Sequence, residues 1–573
     1  MRHPDTPTTA EDRGTALARL FGPLQDTAGA VGARTLLDAD EAATMHAEGE
    51  RLLDSFGLNA EFVPTTLGGR LNDVPELVRV MRVVYGRDAC LGLGYGASAL
   101  MASVNVWTAG DERQRRSLAD LLLAGGKVAT AYHELPHGND FARASFRAVR
   151  LPGGDWRLTG RKEVIANARR ADAFVLFART GDTPGARGHS QFFVPRAALD
   201  SGRLKDVPRF RTSGLRGVQL GGVEFAECPV PAESVLGDVG MGIETAMRSF
   251  QVSRTALPGM WAGGVEAGLV TVLRFVSGRR LYGRRAVDIP LVRRELAECF
   301  ADLMLCEALV SVAARALHVR PDQTAVLAPL TKQYVSGRLL NVMDRLSRLL
   351  GAHFYVRDGE HALFQKHLRD LAPVGFGHTG RAACLAAALP LLTVLSRNVR
   401  RSGTRHRVDG DGDADLFDLH APLPPLDFGR LTLRAGQHES LAGALRAGAD
   451  GTGASGRAHR AAVALLDRTH EGLAHLGARD VGPGGGAGPA DLAKAYGVCL
   501  AAGACAGVAR HARQGTADPF LSDPAWLTGV MTRAFGSAAP SLDPAVADRF
   551  FEELTNRWEA GLSLELSPRP LGM

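Results

Sequence analysis

Apolar residues recur at helical spacing from residue 15 to residue 128, through Leu37, Met45, Leu52 and Leu53 among others, and this period predicts a helical N-terminal domain. The pattern changes at Val128. Short alternating or β-branched runs follow, FRAVRL, WRLTGRKEVI, AFVLFA, SQFFVP and VQLGGVEFAECPV, and the first two are separated by Pro152, Gly153, Gly154 and Asp155. Glycine accepts the positive φ that tight hairpins need, so this spacing predicts an antiparallel β-domain over 129–240. The helical period returns over 241–397, with Leu273, Phe275, Leu296, Phe300, Leu303, Leu309, Val310, Leu339 and Leu340 among its apolar positions. A polar linker spans 398–415, and 416–573 reads as an additional helical domain interrupted by GPGGGAGPAD at 482–491. The expected fold class is α+β: helices, sheet, helical bundle, further helices.

Composition narrows the function classes. A chain of 573 residues that is 45% hydrophobic supports three or four packed domains. Its net charge of +6 comes from 67 basic against 61 acidic residues, a mild excess that points away from nucleic acid and is compatible with small anionic partners. Only six of the basic residues are lysines, so arginine clusters carry little information here. Seven scattered cysteines without a Cys-x-x-Cys pair predict neither a disulfide framework nor a zinc site, and no metal is expected. The N-terminus lacks an apolar leader, and the longest apolar run, near Leu385 to Leu395, is broken by Pro390 and reads as too short to span a bilayer. The expectation is a cytoplasmic protein with no membrane span. The string DGTGASG at 450–456 follows a helical pattern instead of a strand and is not read as a phosphate loop. Asp409, Asp411, Asp413 and Asp415 lack the glycine and glutamate of a calcium loop, having Ala414 and His420 there.

Two stretches carry a family resemblance: ATAYHELPHGNDFARASFRAVRLPGGDWRLTGRKEVIANARRAD at 129–172 and GLRGVQLGGVEFAECPVPAESVLGDVGMG at 214–242. They resemble the middle β-domain of the acyl-CoA dehydrogenase and oxidase superfamily, and the likeness extends in order over about residues 30–395. The layout, with its extra C-terminal helices, is similar to the larger, oxidase-like members. The resemblance implies FAD as cofactor. The family's Thr-Glu-Pro-x-x-Gly-Ser-Asp signature falls on His133, Glu134, Leu135, Pro136, His137, Gly138, Asn139 and Asp140, and its Trp-Ile-Thr-Asn element on Val164, Ile165, Ala166 and Asn167. SGRRLYGRR at 277–285 resembles the Arg-x-x-Phe-Gly element, whose arginine reaches the FAD of a neighbouring subunit in the family. The implied cofactor-binding set is therefore Tyr132, His133, Gly138, Asn139, Ala166, Asn167, Arg279 and Tyr282, in a homodimer or homotetramer. Ala166 has no hydroxyl to offer where the family has threonine.

The same resemblance locates two places where family members keep a glutamate base, and this chain has Gly377 at one and Ser253 at the other. Neither glycine nor an unassisted serine supplies a base with reach and a suitable pKa. His378, beside Gly377, is the replacement candidate as proton acceptor, and Ser253 is read as a substrate-facing hydrogen-bonding residue; Arg254 is read as structural. Three functions are compatible with this pattern. The first is FAD-dependent oxidation of an acyl group, as a CoA or acyl-carrier-protein thioester, in specialised metabolism. The second is a flavin monooxygenase acting on a β-keto acid by decarboxylation, desaturation and epoxidation, similar to epoxyketone synthases. The third is a non-catalytic partner of an active homologue.

Overall fold

The computed structural model describes residues 10–571, apart from 25–28, 182–184, 360, 403–412, 437, 450, 483, 513–517 and 536–539. Six helices make the N-terminal part: α1 (Ala10–Phe21), α2 (Ala33–Glu41), α3 (Ala47–Phe56), α4 (Val74–Arg87), α5 (Ser98–Ala109) and α6 (Glu112–Leu123). Their starts are written in polar side chains. Asp73 accepts from the Glu76 N–H at the head of α4, and Asp111 and Gln114 form a reciprocal capping box at α6. Between α4 and α5 the run LGLGYGA forms a wide π-helical turn, Leu91–Ala97.

Eight strands follow: β1 (Val128–Ala131), β2 (Arg147–Arg150), β3 (Trp156–Ala166), β4 (Ala173–Arg179), β5 (His189–Pro195), β6 (Leu204–Val207), β7 (Leu220–Val230) and β8 (Val235–Leu236). They form one sheet in the order β6-β7-β3-β2-β4-β5-β8, with β1 added beside β4. The expectation of a purely antiparallel domain is corrected here: β1 runs parallel to β4, from Val128 beside Ala173 to Ala131 beside Leu176. The period of two along a strand reports which face is buried and says nothing about the direction of its neighbour. Phe146, Trp156, Leu158, Phe174, Phe192 and Phe225 fill the core of this domain.

The bundle is organised around α7 (Gly242–Gly278), against which α4, α8 (Pro290–Val319) and α9 (Thr324–Leu350) pack. Gly263 allows α4 and α7 to touch, since a Cβ there would lie 2.1 Å from the Arg82 carbonyl oxygen. After α10 (Ala362–Asp370) comes α11 (Arg381–Ser402), which continues through Pro390 and beyond the expected boundary at 397. The central part of the expected linker, 403–412, lies outside the described residues. Beyond it, α12 (Ala414–Phe417), α13 (Ser440–Ala447), α14 (Gly453–His475), α15 (Ala487–Ala512), α16 (Pro519–Ser522), α17 (Pro524–Arg533) and α18 (Pro544–Glu559) join the same hydrophobic core as the bundle. Helix α15 begins inside the glycine-rich run expected to be a loop; its proline, Pro489, falls in the first turn, where no helix N–H is lost.

Among the described residues three helices are long and apolar enough to cross a membrane, 242–278, 381–401 and 487–512, so the sequence argument from run length is superseded. Their apolar windows are 83%, 44% and 78% buried inside the protein, which accounts for the first and third as core helices.

Candidate active site

The two residues singled out as catalytic candidates, 125 positions apart, meet in the structure: Ser253 Oγ lies 2.7 Å from His378 Nε2. Ser253 sits on α7 and is fully buried, and His378 lies on the loop between α10 and α11 and is half-buried. That loop is held open by unusual backbone. His378 and Thr379 have φ values of 48° and 92°, the left-handed region, which a β-branched residue such as threonine rarely adopts. Lys332 of α9 fixes it by donating to the carbonyls of Gly377 at 2.6 Å and His378 at 3.3 Å. Gly377, at the place of a family glutamate, has no room for a side chain as it stands: a Cβ would lie 2.8 Å from the Pro373 carbonyl oxygen.

Aromatic rings wall the pair. Phe250, one helical turn before Ser253, meets the His378 ring edge-on at 4.7 Å, and Phe141 packs against Phe250, Tyr132, Phe177 and His133. Desolvation pulls the His378 imidazole well below its ordinary pKa, and Lys332, His133 and Arg254 push in the same direction. Burial takes the Lys332 ammonium down to about 8, with Arg254 adding to it. His378 is therefore neutral at physiological pH and available as a proton acceptor. Its ring shares one hydrogen with Ser253: Ser253 either donates to Nε2, or receives from it and donates to the Phe250 carbonyl at 3.4 Å.

The remaining expected residues divide into those that line this space and those that brace it. His133 is half-buried near His378, and burial lowers its pKa. Gly138 has φ +55° with open space around it, and the Asn139 amide nitrogen lies against Gly380. Tyr132 and Asn167 act as braces. The Tyr132 hydroxyl is bound to Asn105 Oδ1 at 2.7 Å, and Asn167 donates to the Gly94 carbonyl and to Ser98 Oγ, tying the sheet to the π-helical turn. Glu134 braces the signature loop through Ser145, the Phe146 N–H and Lys162 Nζ at 2.8 Å; these outweigh the effect of burial and bring its pKa down to about 2. Ala166 closes β3, half-buried. Arg279 and Tyr282 lie far along the chain at the turn after α7, Arg279 donating to His353 Nε2 at 2.7 Å and Tyr282 92% exposed.

Lys332, Phe141 and Phe250 were not indicated by the sequence, although Lys332 is one of only six lysines in an arginine-rich chain. Two other features do not belong to this site. A cavity of about 830 Å³ lies between α1, α4, α7 and the C-terminal tail and does not reach Ser253 or His378. The grouping Asp88, Cys90 and Asp370 has metal-ligand character, but Lys366 Nζ stands among them, 2.8 Å from Asp88 and 2.7 Å from Asp370.

The layout of a helical domain, a mixed sheet and a helical bundle recurs in known proteins. Family models match residues 129–228, as the acyl-CoA dehydrogenase middle domain, and 240–377, as the acyl-CoA dehydrogenase C-terminal domain. Over these two stretches the chain is similar to acyl-CoA dehydrogenases. The probable acyl-CoA dehydrogenase FadE25 of Mycobacterium tuberculosis is 26% identical over 322 residues, 56% of this chain and 82% of that protein. Among solved structures, the acyl-CoA dehydrogenase complexed with FAD from Bacillus anthracis aligns over 96% of this chain and 95% of its own, with a TM-score of 0.68 and 16% identity. The prolyl acyl carrier protein oxidase AnaB covers 67% of this chain and 98% of its own, with a TM-score of 0.56 and 20% identity. At these identities the structural likeness is one of fold, and in the first case it extends over the added C-terminal helices.

Proposed function

We propose that this acyl-CoA dehydrogenase homologue is an FAD-dependent enzyme that oxidises the acyl part of a CoA or carrier-protein thioester in specialised metabolism, with neutral His378, paired to Ser253, in place of the usual glutamate. The observation that carries the reading is the 2.7 Å Ser253–His378 contact, packed against the Phe250 ring, where the family resemblance puts the base. The residues present fit the cofactor: the Thr379 hydroxyl is buried without a hydrogen-bond partner, and the backbone at Gly138 is open. His133, Gly138, Asn139 and Thr379 would hold it within one chain, and the exposed turn bearing Arg279 and Tyr282 would serve a second copy, which makes the enzyme at least a dimer. FAD, when bound, supplies the two-electron acceptor.

The chain's own residues do the rest. Phe141 and Phe250 exclude water from the reacting carbon, His378 takes up the proton released there, and Ser253 fixes the ring by its hydrogen bond. Lys332, through the Gly377 and His378 carbonyls, keeps the loop in place. A reducing compartment, the cytoplasm, agrees with seven free, buried cysteines. A second reading, oxygenation of a β-keto acid, is favoured by the absence of a carboxylate base at Gly377 and Ser253, because loss of carbon dioxide makes a carbanion without one. Anaerobic addition of acyl thioesters and β-keto acids to the purified yellow protein, followed by readmission of oxygen, tests both. Bleaching of the flavin absorbance is expected; a protein that takes up no FAD overturns both readings, and product carrying oxygen from O₂ selects the second.

A further inference from the structure

The space around Ser253 and His378 is rich in hydrogen-bond donors and short of acceptors. Arg254, next to Ser253 on α7, is 3% exposed; its Nε has no hydrogen-bond partner, and its recorded contacts are Met247 Sδ at 4.0 Å and the face of Phe250 at 5.2 Å. Lys332 is also buried and meets only neutral carbonyls. The groups whose charge bears on this set are Arg254 from α7, Lys332 from α9, His378 from its loop, His133 from the loop after β1, Cys384 from α11 and Lys162 from β3. Among the described residues none of them is a carboxylate, and Lys162 is already matched by Glu134. Cys384 is the one group among them that favours the charged forms of Arg254 and Lys332, and a thiol is a weak counter-ion; two buried cations without a matching anion are strongly unfavourable. The half-buried His133 and His378, with the exposed Leu135 and Phe376 beside them in sequence, mark the approach from solvent.

We propose that Arg254 and Lys332 form a binding site for a carboxylate carried by the substrate at the end that reaches Ser253 and His378. This rests on the reading above that the acyl end of the substrate reaches Ser253 and His378, and it names the class: acyl groups bearing a free acid instead of plain fatty acyl thioesters. Planar, two-oxygen recognition suits the guanidinium, while Lys332 completes neutralisation as a point charge. The bound anion also offsets the two cations that hold His378 uncharged, so the imidazole becomes a stronger proton acceptor when substrate is present.

Calorimetric titration of the full-length, FAD-loaded protein tests this with matched acids and amides. Succinyl-CoA is compared with its neutral amide succinamoyl-CoA, and free 3-oxohexanoate with 3-oxohexanamide, so that the thioester-borne and free sources of the carboxylate are read separately. The acid of at least one pair is expected to bind about ten-fold or more tighter than its amide, the size of a charge-assisted hydrogen bond. Arg254→Gln removes that preference and Arg254→Lys restores part of it. Equal binding of acid and amide in both pairs of the unaltered protein overturns the proposal without recourse to a variant, as does a preference that Arg254→Gln leaves intact. Flavin bleaching by thioesters without any acid preference would sink this inference and leave the function standing; an acid preference without bleaching would do the reverse.

Discussion

Two buried charge clusters in this chain are built on opposite plans. In the bundle, Glu295, Glu298 and Asp302 of α8 face Arg338 and Arg345 of α9 and Arg533 of α17, with Asp302 Oδ2 2.8 Å from Arg533 Nη2 and Glu298 Oε2 2.7 Å from Arg345 Nη2. Acids and bases match, and the cluster clamps the added C-terminal helices to the bundle. Beside Ser253 and His378, Arg254 and Lys332 are buried, and among the described residues no carboxylate stands opposite them. A matched cluster gives geometric specificity, whereas an unmatched one leaves binding capacity for something that arrives from outside.

Mutations can break this contrast from either side. The largest effect is expected from Asp302→Asn, which leaves Arg338, Arg345 and Arg533 partly unpaired in the core; a loss of about 3–5 kcal/mol is expected in chemical denaturation. A loss below about 1 kcal/mol would mean that the cluster is not the clamp described here. His378→Gln keeps the size of the ring's polar edge but removes the proton acceptor, and the rate of flavin reduction is expected to fall by about 10²–10⁴-fold with little change in the melting temperature. An unchanged rate would remove His378 from the chemistry.

Arg254→Met addresses the unmatched side. Replacing an uncompensated buried cation by an apolar side chain of similar length is expected to leave stability within about 1 kcal/mol or to raise it, in contrast to Asp302→Asn. A large destabilisation would show that Arg254 is matched after all. The smallest effect concerns pH. His378 has a folded-state pKa below its unfolded value, so the unfolded chain binds more protons as the pH falls below about 6.5, and stability is lost in that direction. Between pH 7 and pH 5 the melting temperature of His378→Gln should therefore fall less than that of the unaltered protein; parallel curves would contradict the desolvated setting of the ring. Lys332 works in the same sense at higher pH, its burden easing as the pH rises from about 8 toward the ordinary lysine value.

Much of the architecture was legible before the structure because it rests on local periodicity. The change from helical to alternating spacing at Val128, and back near 241, coincides with β1 at Val128 and α7 at Gly242. The signature frame from His133 to Asp140, the glycine at 377 and the serine at 253 are likewise properties of a line of residues. The parallel pairing of β1 with β4, the passage of α11 through Pro390 and the single core shared by α8, α9 and α15 are not, since each depends on which neighbour arrives.

The site divides along the same boundary. The family resemblance pointed to His378 and Ser253 separately, and marked the loss of the glutamates. Only the packing of α7 against the loop before α11 brought the two within 2.7 Å, turned Tyr132 and Asn167 into braces, and left Arg254 and Lys332 buried with no carboxylate opposite them among the described residues. A side chain's chemistry is carried by its own atoms, but its pKa, its partner and the charge left unbalanced beside it are set by desolvation and by groups that folding brings from distant parts of the chain.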